Sequence, residues 1–218
     1  MTSSTAQGER GFTLIEVIVV LAVLGILVGT AMPLFVKLQD HRKGADVREE
    51  LEEITQALDA YYYDKGMFPT TLRDKDFYGL YLQPGVQGTA VVDAFGGQND
   101  YLFTKSVSPD RVDIWSRGPN GKDDNRGGDD IAVLVQGSPP GYRKTRERMR
   151  VIVEQLANFL ESGGSLTGNW SQDRVNLGLG AVYERDGFGT SFRLDAATLE
   201  LRSAGPDRNF STADDLGT

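Results

Sequence analysis

The chain has 218 residues, with 31 Asp and Glu against 23 Lys and Arg and a formal net charge of −8. This acidic balance excludes a surface that neutralises nucleic-acid phosphates with dense Lys and Arg. Without Cys and with a single His, the chain cannot form disulfides, thiolate zinc sites or Cys–His catalytic pairs. Composition therefore favours a structural or binding protein over an enzyme.

The first predicted element is a membrane helix over residues 12–36, which are apolar except for Glu16 and two threonines. As a helix, these 25 positions extend about 37 Å, enough to cross a hydrocarbon core of about 30 Å. A secretory signal has a shorter apolar region followed by a cleavage site, so we expect this segment to be retained. Glu16 costs about 2.5–3.5 kcal/mol there, and either reaches the headgroups or is neutralised by a partner.

The residues that precede this charge carry a family resemblance. A short polar leader, residues 1–11, is followed by the string Gly11-Phe12-Thr13-Leu14-Ile15-Glu16, which resembles the type IV prepilins, a family that includes the pseudopilins of type II secretion. The resemblance implies that a prepilin peptidase cuts after Gly11 and that the new amino terminus, Phe12, is methylated. It also implies that the Phe12 amine of one subunit pairs with Glu16 of its neighbour, which would couple the buried carboxylate to assembly.

Two features of the apolar segment concern helix contacts and continuity. Gly25 and Gly29 form a G-x-x-x-G, which is either a helix-contact motif or a chance spacing of small residues. Pro33 cannot donate to the Gly29 carbonyl, so we expect a kink or a melted stretch between Gly25 and Pro33. Filaments of the family are similar in having such a stretch.

The next predicted element continues the anchor as one helix of about 50 residues that ends at Gly66 and Pro69. Its evidence is an apolar stripe at helical spacing among acidic residues: Val47, Leu51, Ile54, Leu58, Tyr61 and Tyr62. Strand-like stretches at 100–104 and 111–116 predict an antiparallel meander packed on this helix. The tyrosines, Trp115 and Trp170 are predicted as core, with a glycan platform as the alternative.

The middle of the chain resembles the major pseudopilins of type II secretion up to about residue 135. The matching stretches are the helix exit at 61–71, Asp93-Ala94-Phe95-Gly96 and Gly118-Pro119-Asn120. The resemblance implies an α+β pilin fold, with a long N-terminal transmembrane helix packed on a small antiparallel sheet.

The second half of the chain echoes the first. Residues 136–142, rich in Gly and Pro, are predicted as a linker that sustains neither helix nor strand. Beyond it, a helical stripe from Met149 to Leu160 repeats the earlier spacing, and Asp186-Gly187-Phe188-Gly189 repeats the Asp93 motif. These echoes predict a tandem duplication, with a first domain at 37–135 and a second pilin-like α+β repeat at 143–218 that lacks its own membrane helix.

Two acidic loops are predicted calcium sites. Residues 118–130 and 205–215 each carry a net charge of −2, which is unfavourable without a cation. Gly-Pro-Asp followed by Asp-Asp resembles the calcium loop of major pseudopilins, where the carbonyl before the glycine also coordinates. The resemblance implies two ligand sets, with solvated acidic turns as the alternative: Asn120, Asp129, Asp130 and the Arg117 carbonyl, and Asp207, Asp214, Asp215 and the Ala204 carbonyl, with Ser211 or Thr212.

The sequence thus predicts a non-catalytic pseudopilin in the filament of a type II secretion system. It would be anchored in a bacterial inner membrane, with both repeats in the periplasm. Its expected partners are other copies of itself, other pseudopilins, prepilin peptidase and the inner-membrane secretion platform, with no nucleic acid. The alternatives are a minor pilin of a type IV pilus and a membrane-anchored, calcium-dependent adhesin or cargo-binding module.

Overall fold

The computed structural model describes residues 13–85, 90–107 and 110–218. Two compact units divide the chain after Lys43, and each is described by itself. The elements, in chain order, are helix α1 (Leu14–Lys65), strands β1 (Leu102–Val107), β2 (Asp110–Ser116) and β3 (Ile131–Gln136), helices α2 (Ser138–Glu161) and α3 (Trp170–Asn176), a 3₁₀ turn (Ala181–Tyr183), and strands β4 (Arg193–Leu194), β5 (Leu201–Ser203) and β6 (Leu216–Gly217).

Helix α1 has 52 residues and ends where the sequence predicts, because Gly66 adopts a φ of 73° that favours glycine. In the N-terminal unit, its apolar side chains are exposed, and none of the most apolar window is buried. By length and composition, this is a helix that can cross a membrane. Exposed aliphatic side chains over so long a stretch require a cover of lipid or of other helices.

The core of the second unit begins on α1. Its predicted stripe is buried at Val47, Leu51, Ile54, Leu58 and Tyr62. This face packs in one cluster with strand residues Val112, Ile114 and Val135. The three strands form an antiparallel sheet in the order β1-β2-β3, with Ser116 opposite Ile131. The predicted α+β, pilin-like arrangement is therefore confirmed, with β3 as a third strand that the pattern analysis did not identify.

Helix α2 corrects the prediction that residues 136–142 form a linker that sustains neither helix nor strand. Strand β3 runs to Gln136, and α2 begins at Ser138 with prolines in its first turn. Proline fits there because its missing N–H has no partner at a helix start anyway. Gly141 is required because a Cβ would lie 2.2 Å from the Phe188 ring.

A smaller core lies behind α2. Met149, Ile152 and Leu156 are buried against Trp170, Phe192 and Leu201, and a short sheet in the order β4-β5-β6 follows. Trp115 and Trp170 are only 6% and 7% exposed, which confirms both as core residues. Strand β5 begins at Leu201, two residues after Leu199 turns the chain with a φ of 60°.

The two cores are joined by polar contacts within the same compact unit. Arg208 donates to Asp110 at 2.6 Å, and the Tyr62 hydroxyl donates to the same carboxylate oxygen at 2.6 Å. Lys144 donates to the Asp64 carbonyl at 2.7 Å, near the end of α1. The second half of the chain thus rests on the C-terminal turns of α1 and the start of β2.

Candidate functional site

The first candidate site is the start of α1. Glu16 lies in the first helical turn, where its backbone N–H is 3.1 Å from the Thr13 carbonyl and 3.4 Å from the Thr13 hydroxyl. A carboxylate in this position interacts favourably with the positive end of the helix dipole. Gly11 and Phe12 lie outside the described residues, so their processing and the pairing of Phe12 with Glu16 stay predictions.

The apolar helix is continuous through Pro33, so the melted stretch predicted between Gly25 and Pro33 is not found. One proline removes only one backbone hydrogen bond, the one that its missing N–H would donate to Gly29, and this loss does not interrupt the helix. A kink there stays a prediction. A Cβ on Gly25 or Gly29 would meet no atom within 4 Å, so neither glycine is required by contacts within the described chain. Both remain free for close approach of another helix.

The second candidate site is the loop between β2 and β3. Asp129 accepts a hydrogen bond from the Asn120 N–H at 2.7 Å, which closes the loop. One oxygen of Asp130 accepts from the N–H groups of Asp124 and Arg126 at 3.1 and 2.8 Å. Its other oxygen, Oδ1, is buried and has no hydrogen-bond partner among the residues that the structure describes. A buried carboxylate oxygen without a donor is costly, and a hard cation would satisfy it.

The loop between β5 and β6 has a related geometry with fuller hydrogen bonding. Asp214 accepts from the Asp207 N–H at 3.0 Å, and Asp215 accepts from the Ser211 N–H at 2.8 Å. The Thr212 hydroxyl lies 2.8 Å from Asp214 and 3.1 Å from Asp215, and this hydrogen bond is the main cause that lowers the pKa of Asp214. The Asp207 carboxylate instead accepts from its own turn, from the Asn209 N–H at 2.7 Å.

The proposed ligands are therefore brought together only in part. Over the described residues, no group of three or more His, Cys, Asp or Glu side chains is gathered closely enough to hold a metal ion. The first loop fits calcium better than the second. In the first loop, an Asp130 oxygen has no described hydrogen-bond donor, whereas in the second loop the Thr212 hydroxyl already contacts both carboxylates. One hydroxyl proton cannot serve both Asp214 and Asp215 at once, although each carboxylate also accepts from a backbone N–H.

Each loop is connected by hydrogen bonds to a buried aspartate, whose role the sequence analysis did not identify. Asp93 accepts from the Ser116 hydroxyl at 2.6 Å, and Asp186 accepts from the Ser203 hydroxyl at 2.7 Å. Each serine in turn accepts from a loop glycine N–H at 3.2 Å, that of Gly118 or Gly205. Burial is the main cause that raises the pKa of Asp186. The repeated Asp-x-Phe-Gly motif is the sequence signal that could have located this arrangement.

The glycines also occupy equivalent positions. Gly118 and Gly205 have φ values of 60° and 66°, and a Cβ would lie 2.1 Å from the Asp129 carbonyl oxygen and 2.3 Å from that of Asp214. Ser116 pairs with Ile131 across the first sheet, as Ser203 pairs with Leu216 across the second. The predicted duplication requires matched contacts of this kind, although duplication itself stays a prediction.

Comparison with known families covers the first half of the chain and ends at residue 136. Residues 7–32 match the prokaryotic N-terminal methylation motif, and residues 35–136 match the family of the type II secretion system protein G. The family match ends at the last residue of β3. Helix α2 and all that follows lie beyond it. No solved structure was found to match the chain.

Individual relatives agree. The type II secretion system core protein G of Klebsiella pneumoniae is 31% identical over 128 residues, which cover 53% of this chain and 88% of the relative. That of Vibrio cholerae is 30% identical, over 55% of this chain and 86% of the relative. A type IV major pilin, PilE1 of Neisseria gonorrhoeae, is 30% identical over 52% of this chain and 66% of the relative. With the anchor helix, the sheet and the processing motif in place, the chain belongs to the family of the type II secretion system core protein G, the major pseudopilins.

Proposed function

We propose that the chain is a non-catalytic filament subunit of a type II secretion system, anchored by α1 in the inner membrane with residues 44–218 in the periplasm. The observation that carries this proposal is the exposed apolar N-terminal part of α1, in a chain that matches the family of the type II secretion system protein G. Assembly would move the helix from lipid into a stack of helices, where apolar contacts replace lipid. The positive Phe12 amine of a neighbour would neutralise Glu16.

The distribution of exposed apolar side chains favours a filament subunit over an adhesin. An adhesin needs an apolar or aromatic patch on its binding domain. Within residues 143–218, the large exposed hydrophobics are Val153, Val175, Val182 and Leu199, all aliphatic, whereas α1 carries a nearly continuous series from Leu14 to Leu38. The uncovered surface that needs a partner is therefore on the long helix.

A type IV pilus is the second candidate, favoured by the similarity to the Neisseria pilin. The two are separated by expressing the chain with either a secretion platform or a pilus platform and recovering sheared filaments. Incorporation by the secretion platform alone supports our proposal, and incorporation by the pilus platform alone contradicts it.

Processing and the Glu16 charge provide the direct test. In cells that possess prepilin peptidase, intact-mass analysis should find a chain that begins at methylated Phe12. Glu16→Ala should still insert into the membrane but enter filaments poorly beside wild-type subunits, with exposed Glu52→Ala as a matched control on the same helix. An unprocessed chain that begins at Met1, or normal incorporation of Glu16→Ala, would count against the proposal.

Calcium binding is a further part of the proposal. The first loop would hold the ion with Asp129, Asp130, Asn120 and the Arg117 carbonyl, and the weaker second loop with Asp214, Asp215, Asp207 and the Ala204 carbonyl. The support is the unpartnered Asp130 oxygen together with carboxylates already fixed by backbone N–H groups. When bound, the ion would neutralise the crowded carboxylates and hold the loop in the geometry found here.

Thermal unfolding of the detergent-solubilised chain tests this part. Ligand at 100 times its dissociation constant stabilises by about 2.7 kcal/mol, which corresponds to ~5–10 °C for a protein of this size. Asp130→Asn should remove most of this shift, and Asp214→Asn with Asp215→Asn a smaller share, whereas exposed Asp76→Asn should leave it unchanged. Melting that is indifferent to both calcium and chelator would rule the sites out.

A further inference from the structure

An acidic face on α1 remains unpaired. Asp46, Glu49 and Glu53 are exposed at the spacing i, i+3 and i+7, which places them along one side of the helix. None of the three has an ion pair or a side-chain hydrogen bond within the residues that the structure describes. The half-buried Glu50 beside them adds a further carboxylate to this region. Burial, and to a smaller extent the carboxylates of Asp46 and Glu53, raise its pKa. Residues 44–60 carry six acids and one Arg, a net charge of −5.

A basic face on α2 has the same spacing. Arg143, Arg146 and Arg150 are exposed at i, i+3 and i+7. Arg143 pairs with Asp59 at 2.9 Å, whereas Arg146 and Arg150 have no hydrogen-bond or ion-pair partner in the described parts of the chain. Residues 138–150 carry five bases and one acid, a net charge of +4 in a chain of net −8.

The inner bases of the same turns, Lys144 and Arg148, form no ion pair among the residues that the structure describes. Lys144 donates to the Asp64 carbonyl, and Arg148 donates to the carbonyls of Arg185 and Asp186 at 2.6 and 3.1 Å. Carbonyl oxygens satisfy these donors without supplying a full negative charge. The positive charge of α2 therefore remains available to an acidic partner.

We propose that the acidic face of α1 (Asp46, Glu49, Glu53) in one copy of the chain docks on the basic face of α2 (Arg143, Arg146, Arg150) in a neighbouring copy. Both faces extend over seven residues, about 10.5 Å along their helices, so the charges can align along one line of contact. Two different, complementary surfaces on one chain give a head-to-tail interface, which propagates into an open helical assembly. The inference rests on the proposed filament function and adds to it a contact that uses the second half of the chain.

Charge reversal tests the interface in the full-length chain, expressed with prepilin peptidase and the secretion platform. Glu49→Lys with Glu53→Lys, and separately Arg146→Glu with Arg150→Glu, should each lower the yield of sheared filaments about tenfold, since like charges then meet. All four substitutions in one chain restore opposite charges and should return the yield to within about twofold of wild type. Lys75→Glu with Arg111→Glu makes the same change in net charge as the arginine reversal, on exposed residues outside both faces, and should assemble normally.

The outcomes separate the interface from the function. If the wild-type chain forms no filament, the proposed function fails and the interface with it. If wild type assembles but the fourfold variant is no better than its parents, the filament stands and the interface is overturned. Tryptophan fluorescence on each variant verifies that both cores are folded.

Cross-linking gives an independent result, because the chain has no native Cys. Glu49→Cys and Arg146→Cys, central in each face, should together give a ladder of disulfide-linked oligomers on oxidation of membranes, and each alone should give monomer. A dimer from either single variant would indicate a symmetric contact and contradict the head-to-tail arrangement. Protection of Arg146→Cys by anionic lipid vesicles without any ladder would assign the basic face to the membrane instead.

Discussion

The contact between Arg208 and Asp110 should carry much of the coupling between the two cores. The Asp110 side chain is 6% exposed and that of Arg208 is 34% exposed, and their charged atoms are 2.6 Å apart. Arg208 also donates to the Phe188 carbonyl at 2.9 Å. Arg208→Met keeps most of the aliphatic part of the side chain but leaves the Asp110 carboxylate buried, with the Tyr62 hydroxyl as its one side-chain donor among the described residues.

The expected loss follows from burial. Removing one partner of a fully buried ion pair costs about 3–5 kcal/mol because the other charge stays uncompensated. Since Arg208 is partly solvated, screening reduces this to about 2–3 kcal/mol. For a chain of this length, that corresponds to ~4–12 °C in melting temperature.

Urea unfolding of the detergent-solubilised chain measures this loss, with Trp115 and Trp170 as reporters of the first and second cores. Adding Asp110→Asn to Arg208→Met removes the stranded charge and should recover at least half of the stability. Arg111→Met is the matched control, because Arg111 is exposed and 3.7 Å from Asp113, and it should cost within about 0.5 kcal/mol. A loss below about 1 kcal/mol for Arg208→Met, or no recovery in the double variant, would refute the reasoning.

Two further substitutions test burial and close packing. Burial, and then the charge of Arg148, lower the pKa of Lys144 to about 8. Between pH 8 and 10.5 the unfolded chain therefore binds more protons than the folded chain, and the free energy of unfolding should rise with pH. Lys144→Met should be at least as stable at pH 7 and lack that rise, whereas matching pH curves for the variant and the wild type would contradict this. Gly187→Ala should cost more than about 3 kcal/mol, because its Cβ would lie 2.0 Å from the Gly141 carbonyl oxygen, whereas Gly180→Ala meets nothing within 4 Å and should be neutral in the same melt.

The helix and its buried face could be predicted because burial on a helix repeats with the helical period. The spacing of the apolar residues therefore predicts the buried positions, and the structure confirms four of them as buried: Val47, Leu51, Ile54 and Leu58. The start of α2 could not be found in the same way. Two prolines followed by glycine are typical of a linker, but they also fit a helix start. The choice depends on a distant contact, the packing of the Phe188 ring against Gly141, which the local sequence does not show.

The loops show a different limit. Paired aspartates and their glycines are visible in the sequence, and so is the repeat of the motif around Asp93 and Asp186. The hydrogen bonds of these aspartates to Ser116 and Ser203 join residues far apart in the chain, so no local pattern predicts them. Nor does charge counting reveal that one oxygen of Asp130 is buried without a donor while Asp214 and Asp215 share the Thr212 hydroxyl.

The residues beyond the family match, 137–218, raise the question of how such a subunit packs in a filament built on α1. The contacts of the second half with α1 fall at its C-terminal turns: Arg143 with Asp59, Lys144 with Asp64, and Arg208 with Gly66 at 3.4 Å. The exposed face at Asp46, Glu49 and Glu53 lies earlier on the helix and is left uncovered. The second half of the chain therefore contacts the end of α1 and leaves this face open to a neighbour, so a larger subunit is compatible with packing through the long helix.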